Sequence, residues 1–160
     1  MRSIKSKNIH PIEDIEKIKR YCAYQERCLY DVRCKLKEWN INKEKTEEMI
    51  NELVSLGYLN DERFAQAFAR GKFNIKSWGI RKIIAELEKR NINKDSIQKA
   101  IQEINQTSYL EKLDNLACKW LEKKTTGTHH EKKQKLFRFL VSKGYDLNDV
   151  WNCINKYNKR

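Results

Sequence analysis

The segment Ile83–Ile104 has the sequence IIAELEKRNINKDSIQKAIQEI, in which two apolar runs flank a polar break at Asn91. On both sides of the break, apolar residues recur every three or four positions, which predicts two helices that each bury one face. Asn91 tolerates the left-handed backbone conformation that ends a helix, and the side-chain oxygen of Asn93 suits the N-cap of the next helix. We therefore predict a helix, a stop at Asn91 and a second helix that starts after Asn93.

The same pattern occurs in two more segments, Val32–Leu53 (VRCKLKEWNINKEKTEEMINEL) and Leu136–Tyr157 (LFRFLVSKGYDLNDVWNCINKY), and all three align without gaps. The aligned positions are an apolar ridge (Val32, Ile83, Leu136 and Leu36, Leu87, Leu140), a helix stop (Asn40, Asn91, Gly144), an apolar plug (Ile41, Ile92, Tyr145) and an N-cap (Asn42, Asn93, Asp146). A repeat of this kind is typical of tandem helical units that share buried faces.

A further helix precedes each of these helix pairs. The first is predicted over about Ile12–Ala23, and the second is expected to start after an N-cap at Asn60. The third is predicted to open at the capping box Ser108-x-x-Glu111, and a second box, Thr128-x-x-Glu131, opens the helix that follows it. We predict an all-α protein of nine helices in three tandem three-helix, helix-turn-helix-like repeats. The expected boundaries are 12–59, 60–106 and 107–157, in an elongated, curved monomer.

The composition agrees with a helical protein and excludes other classes. One Pro and five Gly are too few for the tight turns of a β-sandwich or barrel, and 16 aromatic residues are more than disordered chains carry. No run approaches the roughly 20 apolar residues of a membrane span, and the N-terminus lacks an apolar signal region, so we expect a cytoplasmic protein without membrane contact. Five Cys residues without a C-x-x-C pair predict reduced thiols.

Patterns that carry catalytic chemistry do not occur in the sequence. There is no P-loop, no G-x-S-x-G motif and no zinc-ligand spacing. His129 and His130 are expected to be exposed residues at a helix start. Asp61 and Glu62 are adjacent, so their carboxylates point in different directions and suit a helix N-terminus better than acid–base catalysis. We therefore expect a protein that is not an enzyme and has no cofactor or metal.

The net charge of +12 is distributed unevenly along the chain. Residues 1–37 carry +5, residues 38–69 carry −4, residues 70–105 carry +5 and residues 106–160 carry +6. An acidic segment, residues 38–69, thus interrupts an otherwise basic surface. A protein that merely coats DNA does not require such an interruption.

Two basic runs are candidates for contact with nucleic acid or protein. The first contains Arg70, Lys72, Lys76, Arg81 and Lys82 together with Phe73 and Trp78, and the second contains Lys132, Lys133, Lys135 and Arg138, preceded by Lys123 and Lys124. Long cationic side chains beside aromatic rings suit phosphate contact combined with base stacking. Basic residues are also common on solvated helix faces, and Phe73 and Trp78 can equally pack between repeats.

Helix-turn-helix proteins insert the N-terminus of their third helix into the major groove. In the first repeat that helix carries Glu44, Glu47 and Glu48, which would repel phosphates, while the second repeat offers Lys94, Gln98 and Lys99. An autonomous helix-turn-helix-like DNA-binding protein therefore remains the alternative hypothesis. A helical-repeat adaptor without DNA contact is a third.

The segment Gly57–Ala65, GYLNDERFA, resembles a signature of the RecX family of recombinase regulators. Two flanking segments also resemble the family: Arg27–Leu36 its R-S-x-x-E-L-R-x-K-L pattern, and Gly79–Leu87 its G-P-x-x-I-x-x-E-L pattern. Cys28 replaces the usual Ser and Asp31 the usual Glu, which weakens a capping box at the second helix, and Ile80 replaces the usual Pro.

The resemblance implies tandem three-helix repeats and a regulator that binds RecA-type recombinase filaments on single-stranded DNA. It implies inhibition of recombination and of the filament's co-protease activity in the SOS response. The motif residues are expected to be mainly structural: Gly57, Tyr58, Leu59, Asp61, Arg63 and Phe64. For Arg63, either an intramolecular carboxylate or a partner molecule is a possible contact.

Overall fold

The computed structural model of the chain describes residues 11–123 and 126–157. Within these ranges the backbone forms nine α-helices and no β-strand, which confirms the predicted class and the grouping into three-helix repeats. The helices are α1 (Pro11–Tyr24), α2 (Leu29–Glu38), α3 (Lys43–Ser55), α4 (Asp61–Lys76), α5 (Ile80–Glu88), α6 (Lys94–Gln102), α7 (Gln106–Glu122), α8 (His129–Ser142) and α9 (Leu147–Tyr157). Lys124, from the second basic run, lies outside the described residues.

All three predicted helix stops adopt the left-handed conformation. The φ angle is 59° at Asn40, 57° at Asn91 and 91° at Gly144. The N–H of the following plug residue then donates back to the carbonyl of the residue four positions before the stop: Ile41 to Leu36 at 3.0 Å, Ile92 to Leu87 at 3.2 Å and Tyr145 to Leu140 at 3.4 Å. This is the Schellman motif, and it satisfies carbonyl groups that the helix end would otherwise leave unpaired.

The predicted N-caps also form. Asn42 accepts a hydrogen bond from the N–H of Lys45 at 2.9 Å, and Asn93 accepts one from Ser96 at 2.8 Å. Asp146 caps α9 by accepting from the N–H of Asn148 at 2.8 Å. Because a left-handed stop and an N-cap lie only two residues apart, each junction turns the chain sharply without a flexible loop.

One of the two predicted capping boxes is wrong. Thr128 and Glu131 form the expected reciprocal pair at the start of α8. Ser108, by contrast, lies inside the first turn of α7, because Asn105 precedes it and accepts from the N–H groups of both Thr107 and Ser108. An Asn carboxamide three residues earlier is an equally good cap, and it lengthens the helix by one turn.

The chain divides into two compact units, one ending at Phe64 and one beginning at Ala65, so the division falls within α4. The first unit has a core formed by buried residues of α1, α2, α3 and the segment after α3: Ile18, Cys22, Val32, Leu36, Met49, Ile50, Leu53 and Leu59. The three repeat boundaries given above remain a prediction.

The second unit buries one face of each of its helices. Its buried apolar residues are Ala65, Ala69, Phe73, Ile83, Leu87, Ile92, Ile97, Ala100, Tyr109, Leu113, Ala117, Leu136, Leu140, Tyr145, Val150, Cys153 and Ile154. Tyr109 was not predicted: its ring lies 5.1 Å from that of Tyr145, and its hydroxyl oxygen accepts from the N–H of Asp146 at 3.0 Å. Leu110 and Leu121, two further apolar residues of α7, lie at the surface.

A backbone contact joins the start of α5 to the turn between α8 and α9. The N–H of Gly79 donates to the carbonyl of Lys143 at 2.8 Å, and the N–H of Arg81 donates to the carbonyl of Gly144 at 3.0 Å. The unpaired N–H groups at the start of one helix thus meet the unpaired carbonyls at the end of another, and the two helix dipoles have favourable polarity there. The second and third repeats are therefore joined through main-chain atoms.

Glycine is required at both ends of this contact. A Cβ atom on Gly79 would overlap the backbone of Gly144 and Tyr145. One on Gly144 would overlap the backbone and Cβ of Lys82, in addition to the strain of a φ angle of 91°. Because backbone atoms cannot move aside as a flexible side chain can, larger residues would push the two repeats apart.

Gly79→Ala is expected to lower the free energy of unfolding by about 1–3 kcal/mol, which is the usual cost of overpacking. Gly71→Ala is the matched control, since Gly71 lies within α4 and a Cβ atom there would meet nothing within 4 Å. It should raise the stability by about 0.5–1 kcal/mol through helix propensity. Urea unfolding followed by circular dichroism measures both, and equal stability of the two variants would contradict the contact.

Tyr145→Phe is expected to stabilise the protein by about 1 kcal/mol, because the Tyr145 hydroxyl is fully buried and no described residue forms a hydrogen bond with it. Burial also raises the pKa of Tyr145. Tyr109→Phe is the control: it removes a hydroxyl that accepts from the Asp146 N–H and should destabilise by about 1 kcal/mol. The same unfolding experiment tests the pair, and a destabilising Tyr145→Phe would show that its hydroxyl is satisfied.

Candidate nucleic-acid interface

Two lysines and one tryptophan of the first basic run come together where α4 ends and α5 begins. Ser77 has a φ angle of 52°, and the N–H of Trp78 donates to the carbonyl of Lys72 at 3.1 Å, so the chain reverses tightly at this point. The ammonium groups of Lys72 and Lys82 lie 4.9 Å and 4.6 Å from the centre of the Trp78 ring. These three residues are termed the Trp78 cluster.

A second aromatic ring, that of Phe68, packs against the Trp78 cluster. Phe68 meets Trp78 edge-on, with ring centres 6.4 Å apart and planes at 70°. Lys72 lies 5.1 Å from the Phe68 ring and the guanidinium of Arg90 lies 5.2 Å from it. Positive charge is attracted to aromatic faces, so the rings favour positions of these cations close to Phe68 and Trp78. Such a group of cations can contact two or more phosphate groups.

The charges of Lys72 and Lys82 are available to a ligand. Among the described residues, neither lysine forms an ion pair with a carboxylate, although Lys82 donates weakly to the carbonyl of Ser142 at 3.4 Å. The cluster lies beside the Gly79–Gly144 contact, because Lys82 is the residue that packs against Gly144. The position of Lys82 therefore depends on the third repeat as well as on the second.

The other residues of the first run are placed differently. Arg70 pairs with Glu103 at 2.8 Å, so its charge is largely engaged within the protein. Lys76 is exposed at the end of α4, and Arg81 is exposed on α5. Phe73 is buried with the ammonium of Lys112 4.9 Å from its ring, so it belongs to the core and is not a base-stacking surface.

The second run lies on α8. Lys132 and Lys133 are half-buried, while Arg138 is exposed. The ammonium of Lys133 lies 5.4 Å from the ring of Trp151 on α9 and 3.5 Å from the side-chain oxygen of Asn155. The run thus combines cations with an aromatic ring, as the first one does, but the ring comes from a helix that the sequence pattern did not connect with it.

The segment Gly57–Ala65 is mostly engaged in internal contacts. Gly57 ends α3 with a φ angle of 76°, and the N–H of Tyr58 donates to the carbonyl of Leu53 at 2.8 Å, which forms a fourth Schellman motif. Leu59 and Phe64 are buried. Asn60 caps α4 by accepting from the N–H of Arg63 at 2.8 Å, as predicted.

The two charged motif residues bind parts of the first repeat. Asp61 accepts from the N–H of Leu29 at 3.1 Å and so caps α2, where Cys28 makes no side-chain capping bond. Burial raises the pKa of the Asp61 carboxyl. Arg63 donates to Glu26 at 2.7 Å and to the carbonyl of Gly57 at 3.0 Å. In the sequence, the only sign that a distant residue caps α2 is that Cys28, at the N-cap position, has no side-chain oxygen.

Three of the five cysteines, Cys22, Cys28 and Cys153, are buried. All five are free. Burial raises the pKa of Cys22 to about 11 and that of Cys28 and Cys153 to about 12, so these thiols stay protonated and unreactive near neutral pH. Within residues 11–123 and 126–157, no helix combines the length and apolar character that crossing a bilayer requires.

Comparison with known proteins identifies these repeats. The model of the second three-helix domain of RecX matches residues 60–101, and the model of its third three-helix domain matches residues 107–154. The chain belongs to the RecX family. Together the two RecX models cover more than half of it, including the whole of α4, α5 and α8.

Individual RecX proteins are similar over most of the chain. The regulatory protein RecX of Lactobacillus johnsonii is 28% identical over 148 residues, which cover 84% of this chain and 55% of the relative. That of Prosthecochloris aestuarii is 28% identical over 136 residues, covering 85% and 87%. The chain therefore spans about half the length of several relatives that it matches, such as those of the lactobacilli.

Solved RecX structures have the same fold. The crystal structure of RecX from Lactobacillus salivarius is 25% identical, with a TM-score of 0.74 over 93% of this chain and 99% of that one. A second crystal structure of a regulatory protein RecX is 23% identical, with a TM-score of 0.79 over 91% and 71%. At this identity the second likeness supports the fold alone.

Asp61→Ala is expected to lower the free energy of unfolding by about 1 kcal/mol, because the N–H of Leu29 then has no acceptor. Asp61→Asn keeps an oxygen at the same place and should retain most of the stability. Asp95→Ala is the control, since Asp95 is an exposed carboxylate in the first turn of α6. Thermal unfolding of the three variants tests the cap, and equal effects of Asp61→Ala and Asp95→Ala would argue against it.

Proposed function

We propose that this chain binds a RecA-type recombinase filament assembled on single-stranded DNA and inhibits its recombinase and co-protease activities. The observation that carries the proposal is the match of two consecutive RecX domain models, together with relatives named as regulatory proteins. The protein acts as a cytoplasmic monomer, without a cofactor, and its effect comes from binding.

The Trp78 cluster is the proposed contact with the DNA backbone in the filament. Lys72 and Lys82 both lie within 5 Å of the centre of the Trp78 ring and lack a carboxylate partner among the described residues. Two such charges can replace counterions on neighbouring phosphates, which gives affinity without sequence preference. That property suits a protein that must bind a filament wherever it forms.

The acidic segment is the proposed contact with the recombinase. Glu44 and Glu48 are exposed on α3, and among the described residues neither forms an ion pair. Glu47, between them, is bound by Arg33 at 2.9 Å. The carboxylates of Glu44 and Glu48 would meet a basic surface of the recombinase, and the ammonium groups of Lys72 and Lys82 would meet DNA phosphates. Such complementary charges speed association and select the partner.

Lys72→Gln combined with Lys82→Gln is expected to raise the concentration that half-inhibits the DNA-dependent ATPase of the recombinase by about 10-fold. The slope of log affinity against log salt for single-stranded DNA should fall by about 1.4, since each phosphate contact contributes roughly 0.7. Lys94→Gln combined with Lys119→Gln removes the same charge from exposed positions outside the cluster and should change neither quantity.

The same assay separates the DNA contact from the protein contact. Glu44→Gln with Glu48→Gln should weaken capture of the filament while leaving binding to free single-stranded DNA unchanged. Absence of inhibition by the unmodified chain at several-fold molar excess, with no capture of the filament, would overturn the proposed function. Sequence-selective binding to duplex DNA without recombinase would favour the alternative, an autonomous DNA-binding protein.

The alternative is disfavoured by the surface of α3. Its first turns carry three carboxylates, Glu44, Glu47 and Glu48, where a groove-reading helix needs donors and cations. Of these three carboxylates, only that of Glu47 forms an ion pair with a described residue, Arg33. Insertion of this helix into a major groove would bring two unpaired carboxylates close to the phosphates, which is repulsive.

A further inference from the structure

A groove lies between α8 and α9 in the third repeat. It has a volume of about 320 Å³, which is at the lower end of the range of small-ligand pockets. Its lining residues are His130, Lys133, Gln134, Phe137, Arg138 and Trp151. The groove is separate from the Trp78 cluster, with which it shares no residue.

The floor of the groove is a pair of aromatic rings. Phe137 and Trp151 have ring centres 4.6 Å apart and planes inclined at 35°. Trp151 is 44% exposed, whereas the buried residues of α9 are Val150, Cys153 and Ile154. The indole packs against the Phe137 ring, and its exposed part offers a flat surface to a ligand.

The rim of the groove is basic. The Lys133 ammonium lies 5.4 Å from the Trp151 ring, and Arg138 is exposed five residues further along α8. None of the six lining residues is a carboxylate. The ligand that fits this arrangement has flat aromatic groups alternating with negative charges, because the rings need a stacking partner and the cations need anions. Single-stranded nucleic acid has that chemistry, whereas an acidic peptide would satisfy only the cations.

We infer that this groove binds an unpaired base of single-stranded DNA, which stacks on Trp151 while Lys133 and Arg138 contact the phosphates on either side. The inference rests on the proposed function in that it adds a second DNA contact to the same protein. It assigns base stacking, with phosphate contacts on either side, to the third repeat, and a contact with phosphates alone to the Trp78 cluster of the second. Bases are then held on the protein independently of the recombinase.

Binding of single-stranded DNA in the absence of recombinase tests the groove. The probes are a fluorescent oligo-dT strand and an abasic strand of the same length, which has the same phosphates but no bases. Trp151→Ala should weaken binding of oligo-dT by about 5-fold to 100-fold, the range expected for the loss of one stacked base. It should weaken binding of the abasic strand by less than about 2-fold.

Control variants separate stacking from charge and from folding. Trp151→Phe should restore most of the oligo-dT affinity, and Asn152→Ala, at the next exposed position of α9, should have no effect. Lys133→Gln should weaken both strands equally. With 5-fluorotryptophan incorporated, the fluorine signal lost in Trp151→Phe should shift with oligo-dT and not with the abasic strand, which tests the site even if Trp151→Ala does not fold.

Equal losses on the two strands, or no loss on oligo-dT, would overturn the inference. If Trp151→Ala leaves DNA affinity unchanged but weakens capture of the recombinase filament, the groove docks protein and the inference is also wrong. Failure of the proposed function has a different signature: oligo-dT binding would keep its dependence on Trp151 while the ATPase of the recombinase is not inhibited.

Discussion

The left-handed helix stop is the constraint from which the repeat architecture follows. At Asn40, Asn91 and Gly144 a single residue with positive φ ends one helix, and an N-cap two residues later starts the next. The stop also determines which residue is buried at the turn, because the plug that follows it must point back over the helix it has left. Repeating this device three times yields three compact helix pairs.

The helix stop at Gly144 also forms a contact with the preceding repeat. The carbonyls of Lys143 and Gly144, which follow α8, accept hydrogen bonds from N–H groups at the start of α5. The end of a helix in the third repeat thus caps the beginning of a helix in the second. Lys82 packs against that glycine and is held there facing Trp78. The position of Lys82 in the Trp78 cluster therefore depends on a turn more than 60 residues later in the chain, which packs against the Lys82 backbone.

Local features of the fold were predictable from the sequence because their causes are local. Asn40, Asn42 and the Thr128 box act within four residues of themselves, so their chemistry is visible in a short window. The predicted capping box at Ser108 is wrong for a reason that is also local: Asn105, three residues earlier, is an equally good N-cap. The family motif added the repeat type but did not predict which partner each charged side chain would bind.

Features of the site that depend on distant partners were not predictable. Arg70 and Lys72 look equivalent in sequence, yet Glu103 binds one, whereas the rings of Phe68 and Trp78 hold the other. Phe73 and Trp78 likewise look equivalent, and only the packing of α7 against α4 decides that Phe73 is covered by Lys112. Trp151 belongs with the second basic run only because α9 folds back beside α8.

The cap that Asp61 provides for α2 has a consequence for synthesis on the ribosome. Every buried residue of the first core precedes residue 60, but the N–H of Leu29 and the carboxylate of Glu26 find their partners only at Asp61 and Arg63. The nascent first repeat thus reaches its final form only after the opening turn of α4 has left the exit tunnel. Completion of one module is tied to translation of the next, which favours folding in order from the N-terminus.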